Sequence, residues 1–573
     1  MRSRIATIGA SFVLCLVVAS PASAATAADE PFKSEIEEFL NKLTLTTQGL
    51  VSWEGSDALD FRQDGDAAVA VVSNARLAIH EAQTSQIVFD HVEIRRAPVA
   101  GSPNAAKLDV VFPTQSTLTL ADGTKTSLSL KDATASLIVE ETSNRFRDTV
   151  LSFVSARLEH PATGDWMSFG PMSFASKLVG AADGGWSTPI DFELKQVEFF
   201  LTEVPIGGAI DRIAYEASSS GPDVAALNRL RDRIDELREQ GERPPAARLD
   251  ALLDLLPTVP NLFSLVKGEA TVEGVAVRAP TGEPLVGVAK ASIGGALTGL
   301  SGDTAAWRIT LRQNGLVLAA AILDPGKVPQ DVVIDFGLEN VATGPLRTLL
   351  EAVGKLRNGT NDADSQQATA RMLGAAAMLS PVFRIYEVAL QTKDVGVSAT
   401  GKTTGSPVAP KGYTAEVDIV VRGFDALPAL VGDLPWAEYL PVLKIIGAAA
   451  AGSDTKFHLA SAPQKWITVN GNDVTGWFAD DKPGPGQPRQ LRPAQPALTG
   501  DDVRAVQRAL ASAKIATPQT GTYDGATAAA VAQYQKQNGL NVDGVVNAAT
   551  RDKLGVKPAA QPGGVTKPPG RSN

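Results

Sequence analysis

Between about residues 50 and 215 the chain alternates apolar and polar side chains and breaks that alternation at Asp-Gly pairs. A period of two fits a strand with one buried face, and Asp-Gly suits the positive backbone angles of a tight hairpin. STLTLADGTKTSLSL turns back around Asp122-Gly123, and DFRQDGDAAVAVV offers a second turn at Asp64-Gly65. In IDFELKQVEFFL, Ile190, Phe192 and Leu194 share one face. The polar residues between them predict a sheet whose other face is wet. This region is expected to be antiparallel sheet.

Beyond residue 215, strands give way to helix pairs and return. PDVAALNRLRDRIDELREQ sets Leu227, Leu230, Ile234 and Leu237 at helical spacing, and AARLDALLDLLPTVPNLFSLV follows. A second pair is read in GPLRTLLEAVGKL and ATARMLGAAAMLSPVFRIYEVAL, and a third, shorter one around FDALPALVGDLPWAEYLPVLKIIG. The irregular spacing excludes a solenoid of fixed period. The fold class expected is α+β: an elongated, mostly antiparallel β-sheet body with helix pairs on one side, plus a small C-terminal three-helix module. Strand-to-helix phrases such as Leu338-Glu-Asn-Val341 before Pro345 resemble an uncharacterised family of alphaproteobacterial envelope proteins, over roughly residues 30–480.

The N-terminus reads as an export signal. Arg2 and Arg4 precede an apolar run, and Ala22-Ser23-Ala24 makes a small-x-small cleavage site, giving a signal peptide over 1–24. No transmembrane span is expected after its removal. FKSEIEEFL then puts Phe32, Ile36, Phe39 and Leu40 on one face of a short helix. The single cysteine, Cys15, lies inside the signal, so the mature chain has no disulfide, zinc thiolate or cysteine nucleophile. A net charge of -10 argues against nucleic acid, whose phosphates need a basic face.

After Asp480 the composition changes. DDKPGPGQPRQLRPAQPA reads as a Pro/Gly-rich linker over 481–497, following a body over 25–480. Residues 498–556 are compact again, and 557–573 have the composition of a disordered tail. In the compact part, a helix capped by Thr499 or Asp501 carries Val503, Val506 and Leu510 at helical spacing. A second helix turns Ala530, Val531 and Tyr534 inward and ends at Gly539, where glycine suits a C-cap. A third begins near Asn547.

These residues resemble the type 1 peptidoglycan-binding domain. Gly500, Val503, Gln507, Tyr523, Thr527, Ala530, Val531, Gln535, Gly539, Leu540, Asp543, Gly544 and Thr550 stand at positions of its pattern. Asp524 and Asn547 replace glycines usual in the family, and both are favoured helix caps. The resemblance implies peptidoglycan as partner, with Tyr523, Gln507, Gln535 and Asp543 as candidate binding residues. Tyr523 leads them, because an exposed ring could stack on sugar or stem peptide; core packing is the alternative. For the two glutamines, the bonds expected are to loop backbone.

No catalytic constellation is legible. The four histidines, His80, His91, His160 and His458, are scattered, with no His-Glu-x-x-His, no Gly-x-Ser-x-Gly and no phosphate loop. No metal ligands and no cofactor are expected. A carboxylate pair for glycan cleavage would leave no sequence mark. The sequence thus reads as a periplasmic, wall-associated protein. Two alternatives stay open: a peptidoglycan hydrolase, and a periplasmic carrier of lipid or another hydrophobic ligand. Lipid or an envelope protein would be the partner of an exposed apolar sheet face, and the Pro-rich tether would raise the body's concentration at the wall.

Overall fold

A computed structural model of the chain describes residues 51–557, apart from 231–261, 479–488 and short breaks at 81–83, 121–122, 141–144, 162, 181–183, 359–361, 407–411, 433, 435–436, 450–453, 463–464 and 495. The segments read as a signal peptide, as a helix after residue 29, as most of the first helix pair, as the start of a linker and as a tail lie outside the described residues. Two compact units divide the rest. One takes residues up to 325 together with 338–380; the other takes 326–337 together with those from 381 on.

The first unit begins with β1 (Val51–Gly55), β2 (Ala58–Asp64), β3 (Ala67–His80) and β4 (Thr84–Val99). Gly65, in the β2–β3 turn, has φ 61°, so the Asp-Gly pair there uses glycine's freedom. β5 (Ser102–Val111), β6 (Gln115–Thr119), β7 (Lys125–Lys131), β8 (Thr134–Glu140), β9 (Arg145–Phe153), β10 (Ser155–Glu159), β11 (Trp166–Phe169) and β12 (Met172–Lys177) follow. After the short β13 (Val179–Gly180) comes the long β14 (Trp186–Leu201).

The pairings make a sheet that splits and closes again. β4 pairs with β3 along one edge, while its other edge forks, residues 86–89 going to β6 and 93–99 to β5. One layer then runs β5–β8–β9–β12, the other β6–β7–β10–β11. Both end on the same edge of β14, at residues 190–194 and 198–200. The alternating apolar residues fill the space between the layers: Leu108 and Leu137 from one, Leu128 and Leu158 from the other, all buried. Because both layers are sealed into the same two strands, this core is closed along both seams.

From β14 the sheet continues as hairpins through β15 (Ile206–Gly221), β16 (Leu265–Arg278), β17 (Pro284–Thr298) and β18 (Thr304–Asn314), with β19 (Val317–Leu318) on β17. Ile190, Phe192 and Leu194 do share a face, but the alternation shifts by one beyond them. Gln196 takes a left-handed φ of 54°, and Val197 is buried on the core side with Leu194. Gly274 on β16 (φ 67°) makes the matching irregularity two strands away. Such a break re-aims the side chains so that a long strand keeps one apolar face. The opposite face carries a charged row, Lys195–Arg212–Glu273–Lys290, joined by Arg212–Glu193 (2.7 Å) and Lys290–Glu273 (2.8 Å) contacts. β20 (Asp331–Ala342) leads into α1 (Thr343–Asn358) and α2 (Asp362–Met378), which pack on each other as the second pair; VFRIYEVAL, read with the second helix, is instead strand, because β-branched and aromatic residues there pair edge to edge with the next strand.

In the second unit, β21 (Val382–Gln391), β22 (Gly396–Gly405) and β23 (Tyr413–Arg422) form an antiparallel meander. The third helix pair, α3 (Leu427–Val431) and α4 (Leu440–Ile446), leaves β23 and returns through β24 (Ala448–Ala449) to β25 (Thr455–Ala462), which pairs with β23. β26 (Lys465–Val469) and β27 (Asn472–Asp473) extend the sheet. Among the described residues, no helix is long and apolar enough to cross a membrane.

Candidate functional site

The C-terminal module consists of α5 (Asp501–Ser512), α6 (Gly525–Gln537) and α7 (Ala548–Leu554), with a small ribbon of β28 (Leu498–Thr499) and β29 (Thr522–Tyr523). α5 does not use Thr499 or Asp501 as its cap. Gly500, at φ 144°, occupies the N-cap position without a side-chain bond. Asp502 in the first turn instead accepts from the Val503 N–H (2.9 Å) and the Arg489 guanidinium (3.1 Å). Acidic groups are favoured there by the partial positive charge of a helix start.

The other two helices start alike. Asp524 accepts from the Thr527 N–H at 2.8 Å, and Asn547 from the Thr550 N–H at 3.0 Å. The loop before each cap is gripped by a glutamine from the preceding helix. Gln507 Oε1 accepts from the Gly521 N–H (2.8 Å), while its Nε2 donates to Thr522 O (3.0 Å) and Thr527 Oγ1 (3.1 Å). Gln535 Oε1 accepts from the Gly544 N–H (2.8 Å), while its Nε2 donates to Val545 O (3.0 Å) and Thr550 Oγ1 (3.1 Å). Gly521–Thr527 and Gly544–Thr550 are therefore one structural device used twice. Gly521 and Gly544 turn their loops at φ 73° and 65°, which other side chains resist.

The candidate binding residues are internal. Gln507 and Gln535 are 0% exposed, Tyr523 1% and Asp543 4%. The exposed ring expected of Tyr523 is not found: its ring sits in the core and its hydroxyl donates to Gly544 O at 2.8 Å, linking the two gripped loops. Burial pushes the Tyr523 phenol pKa well up. Asp543 accepts from the Val545 N–H (2.8 Å), from Gln535 Nε2 (2.7 Å) and from Asn541 Nδ2 (3.0 Å). Burial still holds its carboxyl above the usual value, because desolvation outweighs those bonds. All four side chains hold the module's frame. The module's outer surface is made by exposed residues such as Arg504, Arg508, Thr520 and Gln533.

The sequence reading missed how the module is joined to what precedes it. Residues 489–494, within the stretch read as linker, are folded onto it. Leu491 is 0% exposed and its carbonyl accepts from the Val546 N–H at 2.9 Å. Arg551, also buried, donates to Arg489 O at 2.6 Å, and Arg492 donates to Trp477 O at 2.7 Å. A composition dominated by Pro, Gly and Gln gave no weight to one apolar anchor between two arginines.

The helical segment before β24 also docks on the module. Glu438 accepts from the Gly525 N–H at 2.7 Å, at the start of α6. Val442 of α4 is fully buried, so near Gly544 that a Cβ there would lie 2.7 Å from it. The small side chains of α6, with Ala528 and Ala532 fully buried, let α4 approach. Trp477 donates to Asp543 O at 2.7 Å and stacks on Tyr439 with ring centroids 4.5 Å apart. Asn541 and Asp473 exchange bonds of 2.6 Å. One apolar core runs from Val395 and Phe457 of the sheet through Leu440 and Leu491 to Val503, Tyr523 and Val546.

The histidines are far apart in role. His160 is buried in the β10–β11 hairpin, where its Nδ1 accepts from the Thr163 N–H (3.2 Å), and His458 contacts Asp418 at 3.0 Å on an exposed strand. Among the described residues, no three His, Cys, Asp or Glu side chains gather as metal ligands. No curated protein and no solved structure matches the chain, so the likeness of residues 30–480 to an envelope family rests on sequence phrases alone. Residues 499–554 match the family model described as a putative peptidoglycan binding domain, and the chain thus carries a peptidoglycan-binding domain at its C-terminus.

Proposed function

We propose that this is an exported, non-enzymatic protein of the periplasm that grips peptidoglycan through residues 499–554 and holds a sheet-rich body at the wall. The domain match is the observation that carries the reading. The shared core adds a mechanical element. The strands β21–β27 are fixed to the wall-binding module by buried contacts, so they are presented to the wall in one attitude. A flexible tether would only raise local concentration.

Co-sedimentation of the full chain with purified sacculi tests the reading. The chain is expected to pellet with sacculi and not with cellulose, and soluble muropeptides are expected to release it. Equal pelleting with both polymers would refute wall recognition. Muropeptides appearing in the supernatant of sacculi incubated with the pure chain would refute the non-enzymatic role.

A further inference from the structure

Because Tyr523, Gln507, Gln535 and Asp543 are buried, another part of the module must meet the wall. Much of its surface is already taken. Glu438 and Val442 cover the start of α6 and the Gly544 loop, and Lys536 donates to Ile445 O at 3.1 Å. Asn541 is bonded to Asp473, and Arg551 to Arg489 O. The outer face of α5 is not used in this way. Arg504 and Arg508 stand there at i and i+4, both exposed, so their guanidiniums project from one side of the helix with Cβ atoms about 6 Å apart.

Arg504 is seated on the first gripped loop. A Cβ at Gly521 would lie 2.8–2.9 Å from Arg504 Nε, Cγ and Cζ. Glycine at that turn, already required by its φ of 73°, thus also makes room for the arginine. Holding the side chain in place lowers the ordering cost of binding. The nearest acid, Asp501, is 4.0 Å away and fully exposed, a pairing that contributes little in water. The Arg508 guanidinium has no hydrogen-bond or ion-pair partner among the described residues. Two forked cations with spare donors suit a carboxylate, which arginine binds bidentately. Peptidoglycan offers that group in its peptide stems, which carry free carboxylates, whereas its N-acetylated sugar rings are neutral. On a chain of net charge -10, a local pair of cations also offsets repulsion from an acidic polymer.

Resting on the wall-binding reading above, we propose that Arg504 and Arg508 form the subsite for a stem-peptide carboxylate of peptidoglycan. The full chain is co-sedimented with intact sacculi and with sacculi whose peptide carboxylates have been converted to amides. The wild type should bind the amidated sacculi roughly tenfold more weakly, the loss expected when charge-assisted hydrogen bonds are removed. The double variant Arg504→Gln, Arg508→Gln should bind intact sacculi about tenfold more weakly for the same reason. It should keep the wild-type unfolding midpoint and no longer distinguish the preparations. Lys553→Gln, which removes an exposed cation of α7, should bind as the wild type does. Equal wild-type binding to intact and amidated sacculi overturns the subsite and leaves wall binding standing. So does wild-type binding by the double variant, or an equal loss in Lys553→Gln, which would reduce the effect to net charge. Failure of the wild type to pellet with intact sacculi removes wall binding itself, and the subsite with it.

Discussion

Leu491→Ala separates a tether from an anchor. Leu491 lies in a stretch of Pro, Gly, Gln and Arg, yet it is completely buried in the core shared by the β21–β27 sheet and the module. Truncating a fully buried leucine removes its burial energy and leaves a partly relaxed cavity, a loss of about 2–5 kcal/mol. A residue in a solvated linker would change stability by no more than about 0.5 kcal/mol. Native-state hydrogen exchange at the Val546 amide gives a local assay, because that N–H is bonded to Leu491 O. At about 1.4 kcal/mol per factor of ten, exchange through global opening should accelerate by roughly 30-fold or more. Gln533→Ala, on the exposed side of α6, is the control and should stay within about twofold. If Leu491→Ala behaves like the control, the shared core is refuted and the flexible-tether picture returns.

Two further outcomes follow from the module's interior. Asp524→Ala and Asn547→Ala should each cost about 1 kcal/mol in urea denaturation, while Asp524→Asn should cost little, since it keeps the accepting oxygen. Asp543, whose carboxyl is held above its ordinary 3.8 by burial, should make stability pH-dependent. The folded module keeps that proton to higher pH than the unfolded chain does, so the contribution is full below the unfolded value and is lost as pH rises through the folded one. Denaturation midpoints measured across the acid range should show this decline, and Asp543→Asn should flatten it.

Much of the site was legible because its grammar is local. A cap, its Thr three residues on, and a glycine that turns the loop are fixed by backbone geometry over seven residues, so Gly521…Thr527 and Gly544…Thr550 could be read as helix starts. The bonds of Gln507 and Gln535 to loop backbone were legible from the same spacing. Whether Tyr523 faces water was not, because the ring's burial depends on Gly544, twenty-one residues away. In the sheet, alternation located the strands, while the one-residue break at Gln196 was invisible in a pattern of residue types.

The sequence by itself determined most of the strands, the second and third helix pairs and the identity of the C-terminal domain, since each rests on a period or motif carried by neighbouring residues. Only the tertiary structure decided that two sheet layers close onto β4 and β14, that Glu438 and Val442 complete the module, and that Leu491 anchors it. Those contacts join residues tens of positions apart. Their stability comes from removing apolar surface from water in three dimensions, a quantity with no signature in local order along the chain.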